Sequence, residues 1–190
     1  MKTILSTAIL SLSMIFGTSA MTDPIKKEVK VKESKITWIG KKVTGQHNGT
    51  IELKEGTLIM DGDQLTGGSF VIDMTTIQVT DLKAGKGKEK LEGHLNSDDF
   101  FGVDNYATAT YTIDSAVKNG DTYTVDGSLT IKGKSLPHQI KLTKMGNTLT
   151  TNVEIDRTKY GIVYKSGSIF DGLKDAAIND DFELAIRMKI

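Results

Sequence analysis

The sequence predicts an all-β fold of antiparallel strands, either a meander closed into a barrel or a two-sheet sandwich. Three observations predict it. Apolar and polar residues alternate with period two through much of the chain, which gives strands one dry face and one wet face. Glycine dipeptides (Asn119-Gly120, Gly133-Lys134 and Gly146-Asn147) fall between the alternating runs, where hairpin turns need positive φ. Threonine and β-branched residues populate the wet faces, as suits a pleated, half-solvated surface.

The N-terminus departs from this pattern. Lys2 is followed by an uncharged, largely apolar run from Thr3 to Phe16 and by the small residues Gly17-Thr18-Ser19-Ala20. That order predicts a secretory signal peptide, residues 1–20, cut after Ala20 and too short to span a membrane comfortably. The mature chain is therefore expected in the periplasm or outside the cell. The chain has 0 cysteines, which excludes a lipid-modified lipoprotein and a disulfide scaffold, so stability must come from the core. Residues 21–34 are polar and lysine-rich, a lead or edge segment. Residues 35–190 read as one domain.

Taken in order, Ile36 to Gly40 is strand-like and holds the only tryptophan, Trp38. Gly45-Gln46-His47-Asn48-Gly49 has turn character. Thr50 to Leu53 alternates, Thr57 to Met60 forms another strand, and Asp61-Gly62-Asp63 turns. Phe70, Ile72 and Met74 share a dry face. An insertion at residues 86–102 then interrupts the strands. It holds a helix from Lys86 to Leu95, a cap-like Asn96-Ser97-Asp98-Asp99, and Phe100-Phe101. The later dry faces are Ala107, Ala109, Tyr111 and Ile113; Tyr123, Val125, Gly127, Leu129 and Ile131; Leu149, Thr151, Val153 and Ile155; and Phe182, Leu184, Ile186, Met188 and Ile190. A short helical turn is expected near Leu173 to Ala177. Small dry-face residues such as Ala107, Ala109 and Gly127 favour the barrel, where they fit its taper or leave room for a ligand. They fit a filled core equally well, as small packed against large.

Charge and motifs narrow the function. Lys plus Arg and Asp plus Glu are both 24, so no basic excess points to nucleic acid. The three histidines match no compact ligand spacing and there is no HExxH, so no metal is expected. His47 sits by a glycine-rich turn where it could rim a cavity. His94 ends the helix. His138 follows Pro137 and reads as a surface residue at a strand start. Gly127 to Ser135 fails as a phosphate loop in spacing and in strand context. Asp98-Asp99 are adjacent, so their side chains diverge, and no nucleophile elbow is present. The chain is read as a binding protein, not an enzyme, with no cofactor. The rival readings are a hydrolase or isomerase using His94 with Asp98 or Asp99 on a bound lipid, and a ligand-free structural envelope protein. Phe100-Phe101 either plugs one end of the core or stands at a cavity mouth.

An ordered set of motifs adds to this. Trp38-Ile39-Gly40, Gly45-Gln46-His47-Asn48-Gly49, Gly68-Ser69-Phe70-Val71-Ile72-Asp73-Met74, Leu91-Glu92-Gly93-His94-Leu95, Ser97-Asp98-Asp99-Phe100-Phe101, Tyr106-Ala107-Thr108-Ala109, Leu129-Thr130-Ile131-Lys132-Gly133 and Arg157-Thr158-Lys159-Tyr160-Gly161 occur in that order. From about Val31 to Ile190 the chain resembles the YceI-like family of polyisoprenoid-binding periplasmic proteins, departing from it at Ala107, where proline is frequent. The resemblance implies a lipocalin-like antiparallel barrel of about eight strands around an apolar pocket for an isoprenoid or similar amphiphile. In that setting Trp38, Phe70, Ile72, Met74, Phe100, Phe101, Tyr111, Ile113, Tyr123, Val125, Leu129, Ile131, Val153, Ile155, Phe182, Leu184 and Ile186 would line the pocket. His47, His94, Asp99 and Arg157 would stand at its mouth or support it from just behind, with no catalytic role. Oligomeric state is left open, a dimer included.

Overall fold

The computed structural model describes residues 27–190. The predicted signal peptide and its cut after Ala20 lie outside the described residues. The strands are β1 Lys27–Lys30, β2 Glu33–Lys42, β3 Gly45–Asp61, β4 Gln64–Val79, β5 Thr108–Asn119, β6 Thr122–Ile131, β7 Lys134–Met145, β8 Thr148–Asp156 and β9 Ile178–Lys189. One α-helix, α1 (Lys88–Asn96), lies between β4 and β5, and short 3-10 turns occur at Arg157–Tyr160 and Lys174–Ala176. All strand pairs are antiparallel, in the order β1-β3-β2-β9-β8-β7-β6-β5-β4 with β3 also paired to β4. β2 to β9 therefore close an eight-stranded barrel, and β1 is an added edge on β3, Lys27 to Lys30 opposite Met60 to Thr57. The fold is the lipocalin-like barrel with one helical insertion, and the sandwich is excluded.

Two local expectations need correcting. Gly45 to Gly49 is not a turn. The turn is Val43-Thr44, and the segment that follows pairs with β2, Gly40 opposite His47 and Trp38 opposite Gly49. The glycine that looked like a turn signal serves close approach instead. A Cβ on Gly49 would collide with the Gln78 carbonyl and stand 2.5–2.6 Å from the Trp38 ring. Gly49→Ala is therefore expected to cost at least the 1–3 kcal/mol typical of overpacking; thermal unfolding checks this. The second correction is that Thr50–Leu53 and Thr57–Met60 are one strand. β3 bends through register shifts at Thr50/Glu52 and Leu53/Glu55 and continues past Gly56. Such bulges bend a strand without ending it.

The hairpin turns fall at Gly62-Asp63, Gly120-Asp121, Lys132-Gly133 and Gly146-Asn147, within a residue of where the sequence places them. They divide the barrel into two ends. At the end of turns 62–63, 120–121 and 146–147, the interior is filled. Leu58, Leu65, Tyr123, Val125, Leu142 and Leu149 are buried together, and the Tyr123 hydroxyl donates to the Asp63 carbonyl at 2.7 Å. At the other end, the 86–102 insertion and the β8–β9 connection cross the opening. Glu92 of α1 accepts from the Val79 backbone N–H at 2.8 Å, fixing the helix to the end of β4. Phe101 N–H bonds the Leu95 carbonyl and Gly102 N–H that of Ser97, so the segment after the helix folds back on itself.

Candidate functional site

Between the filled end and the cap lies a cavity of about 190 Å³, counted as space open to the centre of a water molecule. On that measure one water needs roughly 10–15 Å³, so the space is far larger than a packing defect. Its floor is Phe70, Tyr111, Leu142 and Met188. Its walls carry Ile36, Trp38, Ile51, Ile72, Met74, Ala109, Leu129, Ile131, Ile140, Val153, Ile155, Leu184 and Ile186. Leu95, Phe100, Phe101, Arg157, Asn179, Asp181 and Phe182 surround its capped end. Polar side chains are few: besides Tyr111, they are Lys41, His138, Thr151, Arg157, Asn179 and Asp181.

Alternation explains why the walls are apolar, since each strand sends every second side chain inward. Depth is set by two devices. On β6, Gly127 leaves room for the Tyr111 ring. A Cβ there would collide with the Thr112 carbonyl and stand 2.6 Å from Tyr111 Cζ. The Tyr111 hydroxyl donates to the His138 carbonyl at 2.9 Å, so the phenol lies across the floor with its polar end satisfied. Burial holds that phenol well above the ordinary tyrosine range, with Asp126 and Asp114 adding to the effect. At the top, Phe101 meets Phe182 edge-on at 6.1 Å between ring centres, bridging the insertion to β9.

Arg157 is the main polar feature of the capped end. It is only 4 % exposed. Its Nε donates to the Asn179 carbonyl at 2.9 Å, Nη1 to the Ile162 carbonyl at 2.7 Å and Nη2 to the Ile178 carbonyl at 3.0 Å. Its guanidinium also stands 5.9 Å from the centre of the Phe100 ring. Burial lowers its pKa, and Asp180 (3.7 Å away) and Asp156 oppose that shift. Guanidinium remains charged regardless. Asp156 caps the 3-10 turn by accepting from the Thr158 N–H at 2.9 Å. Its own burial raises its pKa, but the Thr158 bonds and Lys159 outweigh that and leave it below the usual carboxylate value.

Of the sequence-predicted pocket residues, Trp38, Phe70, Ile72, Met74, Phe100, Phe101, Tyr111, Leu129, Ile131, Val153, Ile155, Phe182, Leu184 and Ile186 line the cavity. Ile113, Tyr123 and Val125 do not; they face inward but sit in the filled end. Among the expected mouth residues, Arg157 lines the cavity. His47, His94 and Asp99 are not among its lining residues. His47 Nδ1 pairs with Asp81 at 2.8 Å, and Asp81 also accepts from Asn48 N–H, which ties β3 to the chain just past the end of β4. His94 stacks edge-on against Phe100 (4.9 Å) and Tyr164 (4.5 Å), with Asp99 3.4 Å from its Nε2. It holds the plug together from behind.

His138 is the opposite case. Expected at a surface strand start, it lies within β7 and lines the cavity. Burial, and then Lys159, lowers its pKa. The signal was present in Leu136, His138, Ile140 and Leu142, one period-two face obscured by Pro137. Ile36, Ile51, Ile77 and Leu95 line the cavity as well, without having been singled out from sequence. Among the described residues, no group of three or more His, Cys, Asp or Glu is placed to hold a metal, and no helix is long and apolar enough to cross a membrane.

Comparisons with known proteins agree with this geometry. The family model described as a YceI-like domain matches residues 27–190. No curated protein matches the chain. Among solved structures, Burkholderia cenocepacia BcnA is similar at 19 % identity and a TM-score of 0.62, over 83 % of this chain and 98 % of its own. A polyisoprenoid-binding domain from Saccharophagus degradans, implicated in plant cell wall breakdown, is similar at 12 % identity and TM-score 0.56, over 85 % and 95 %. The Campylobacter jejuni YceI protein is similar at 16 % identity and TM-score 0.52, over 99 % and 92 %. At these identities the likeness concerns the fold.

Proposed function

Since the chain belongs to the YceI-like family, we propose that it is a lipid-binding protein that encloses an isoprenoid or similar long-chain amphiphile in its barrel. The observation that carries this reading is the cavity, apolar on nearly every side and bounded by a filled floor. A hydrocarbon chain has only apolar surface to hide, at about 25 cal/mol per Å² or ~0.8 kcal/mol per methylene. Ten buried carbons give roughly 8 kcal/mol before the entropic cost of association is subtracted. The similar Saccharophagus domain, described as polyisoprenoid-binding, supports the choice of chain. Sequestration or transport in the periplasm or outside the cell is the role in which such a carrier fits the predicted signal peptide.

The rival enzymatic reading has less support. His94, Asp98 and Asp99 are absent from the cavity lining, so the acid/base group it needs has no bound chain to act on. The ligand-free reading must leave an apolar space of this size unused. Mass spectrometry of protein purified from its own host under non-denaturing conditions is expected to show one lipid per chain, extractable by organic solvent. A single apo mass, with no uptake of isoprenoid quinones on incubation, would count against the proposal.

A further inference from the structure

The barrel wall is incomplete at one seam. β7 pairs with β6 at ten consecutive positions, from Ile131↔Lys134 to Thr122↔Thr143. With β8 it pairs only at Thr143↔Thr150, Lys144↔Leu149 and Met145↔Thr148. The same register carried upward would set Ile140 against Val153 and His138 against Ile155, but the strands have parted there. All four of those side chains line the cavity. Pro137 has no N–H to offer and suits an edge that β8 does not cover.

A second cleft lies outside the barrel at the fork of this seam. It is bordered by Lys35, Lys141, Arg187, Thr143, Thr150 and Asn152, and it also reaches Thr151 and Ile186. Those last two residues line the inner cavity as well, so at the fork the outer cleft and the cavity share wall residues. The cleft is positively charged. Lys35 and Arg187 are direct cross-strand partners on β2 and β9, an arrangement of like charges that is unfavourable by itself. Among the described residues, neither they nor Lys141 has a carboxylate within ion-pairing distance. Uncompensated cations beside a parted seam in the wall of an apolar cavity match one ligand chemistry: a hydrocarbon chain ending in an anion such as a phosphate.

We propose that the anionic end group of a single-chain amphiphile sits in the outer cleft at Lys35, Lys141 and Arg187 while its chain passes between β7 and β8 into the cavity. This rests on the lipid-binding reading and assigns it an end group and a side entrance. The Lys and Arg side chains and the Thr143 and Thr150 hydroxyls supply donors to the anion. The capped end, closed by Phe101 against Phe182, need not open for the chain to enter.

The test is calorimetric titration of the protein with farnesyl phosphate and with farnesol, which share a chain and differ in the end group. Wild type is expected to bind the phosphate at least about tenfold more tightly. Lys35→Glu with Arg187→Glu, both at exposed positions, should abolish that preference and leave farnesol binding unchanged. Lys42→Glu, exposed at the capped end, should keep the preference. Inorganic phosphate alone should give no comparable binding. A double variant that retains the preference, a Lys42→Glu variant that loses it, or inorganic phosphate binding as well as farnesyl phosphate would each overturn the proposal while farnesol binding upholds the carrier. Binding of neither lipid overturns both.

Discussion

Replacing Ala109 by phenylalanine is expected to weaken lipid binding about a hundredfold while the barrel stays folded. Ala109 stands in the cavity wall, on β5 opposite Ile72 of β4, and both residues line the open space. A phenyl group on this Cβ projects into a cavity of only about 190 Å³ and takes the volume a chain would occupy. Excluding about four methylenes at ~0.8 kcal/mol each costs roughly 3 kcal/mol of binding, or about a hundredfold in Kd. Stability should change little, because the added ring fills empty apolar space instead of displacing packed neighbours. Titration with a fluorescent isoprenoid, alongside thermal unfolding, measures both. Unchanged affinity in a folded variant would mean the chain is held elsewhere.

The second large effect concerns the capped end. Arg157→Ala is expected to lower stability by about 3–5 kcal/mol, because it strips a buried charge from Asp180 and leaves the carbonyls of Ile162, Ile178 and Asn179 without their donor. For a chain of this size that is a fall in Tm of about 10 °C. Arg157→Lys should recover little of it. One ammonium cannot span three carbonyls that a planar guanidinium meets together. The loss should fall mainly on the β8–β9 connection, since all three carbonyls belong to it or to the start of β9. Hydrogen exchange of the Ile162 and Ile178 amides would locate it there, and uniform loss of protection across all strands would contradict a local role.

The contrast among the predicted pocket residues shows what period-two alternation reveals. It reports which face of a strand is dry, and in a barrel the dry face is the inside. It does not report depth. Val125 and Leu129 lie on one face of β6, four residues apart; one is locked in the filled end and the other lines the cavity. Depth depends on where Tyr111 lies down over Gly127, a contact between two strands that neither strand's pattern encodes. The mouth residues were polar groups at turns, at the helix end or in family motifs, and none of those signals reports which way a side chain points. His47 and His94 turned out to be ties behind the wall, held by Asp81 and by the Phe100–Tyr164 pair. Arg157 could be recognised only through its motif, because its partners are backbone carbonyls, which no side-chain pattern announces. The strand count survived local misreadings such as the turn at Gly45–Gly49, because register there is set by Trp38 lying over Gly49.

The seam between β7 and β8 was likewise out of reach of the sequence. Both strands carry regular dry faces, Leu136 to Leu142 and Leu149 to Ile155, and nothing in either pattern says that they part above Thr143. The only local hint is Pro137, which weakens one edge of β7.

Trp38 gives the most direct measurement of whether a chain enters this cavity. It is the only tryptophan in the protein and its ring lines the space. Its fluorescence is therefore a reporter from inside the barrel with no label added. Titration with an isoprenoid quinone, whose ring quenches indole emission on close approach, should give saturable quenching at one quinone per chain, and Ala109→Phe should remove it. Emission that stays constant, or that falls linearly without saturation and equally in Ala109→Phe, would contradict a lipid held within the barrel.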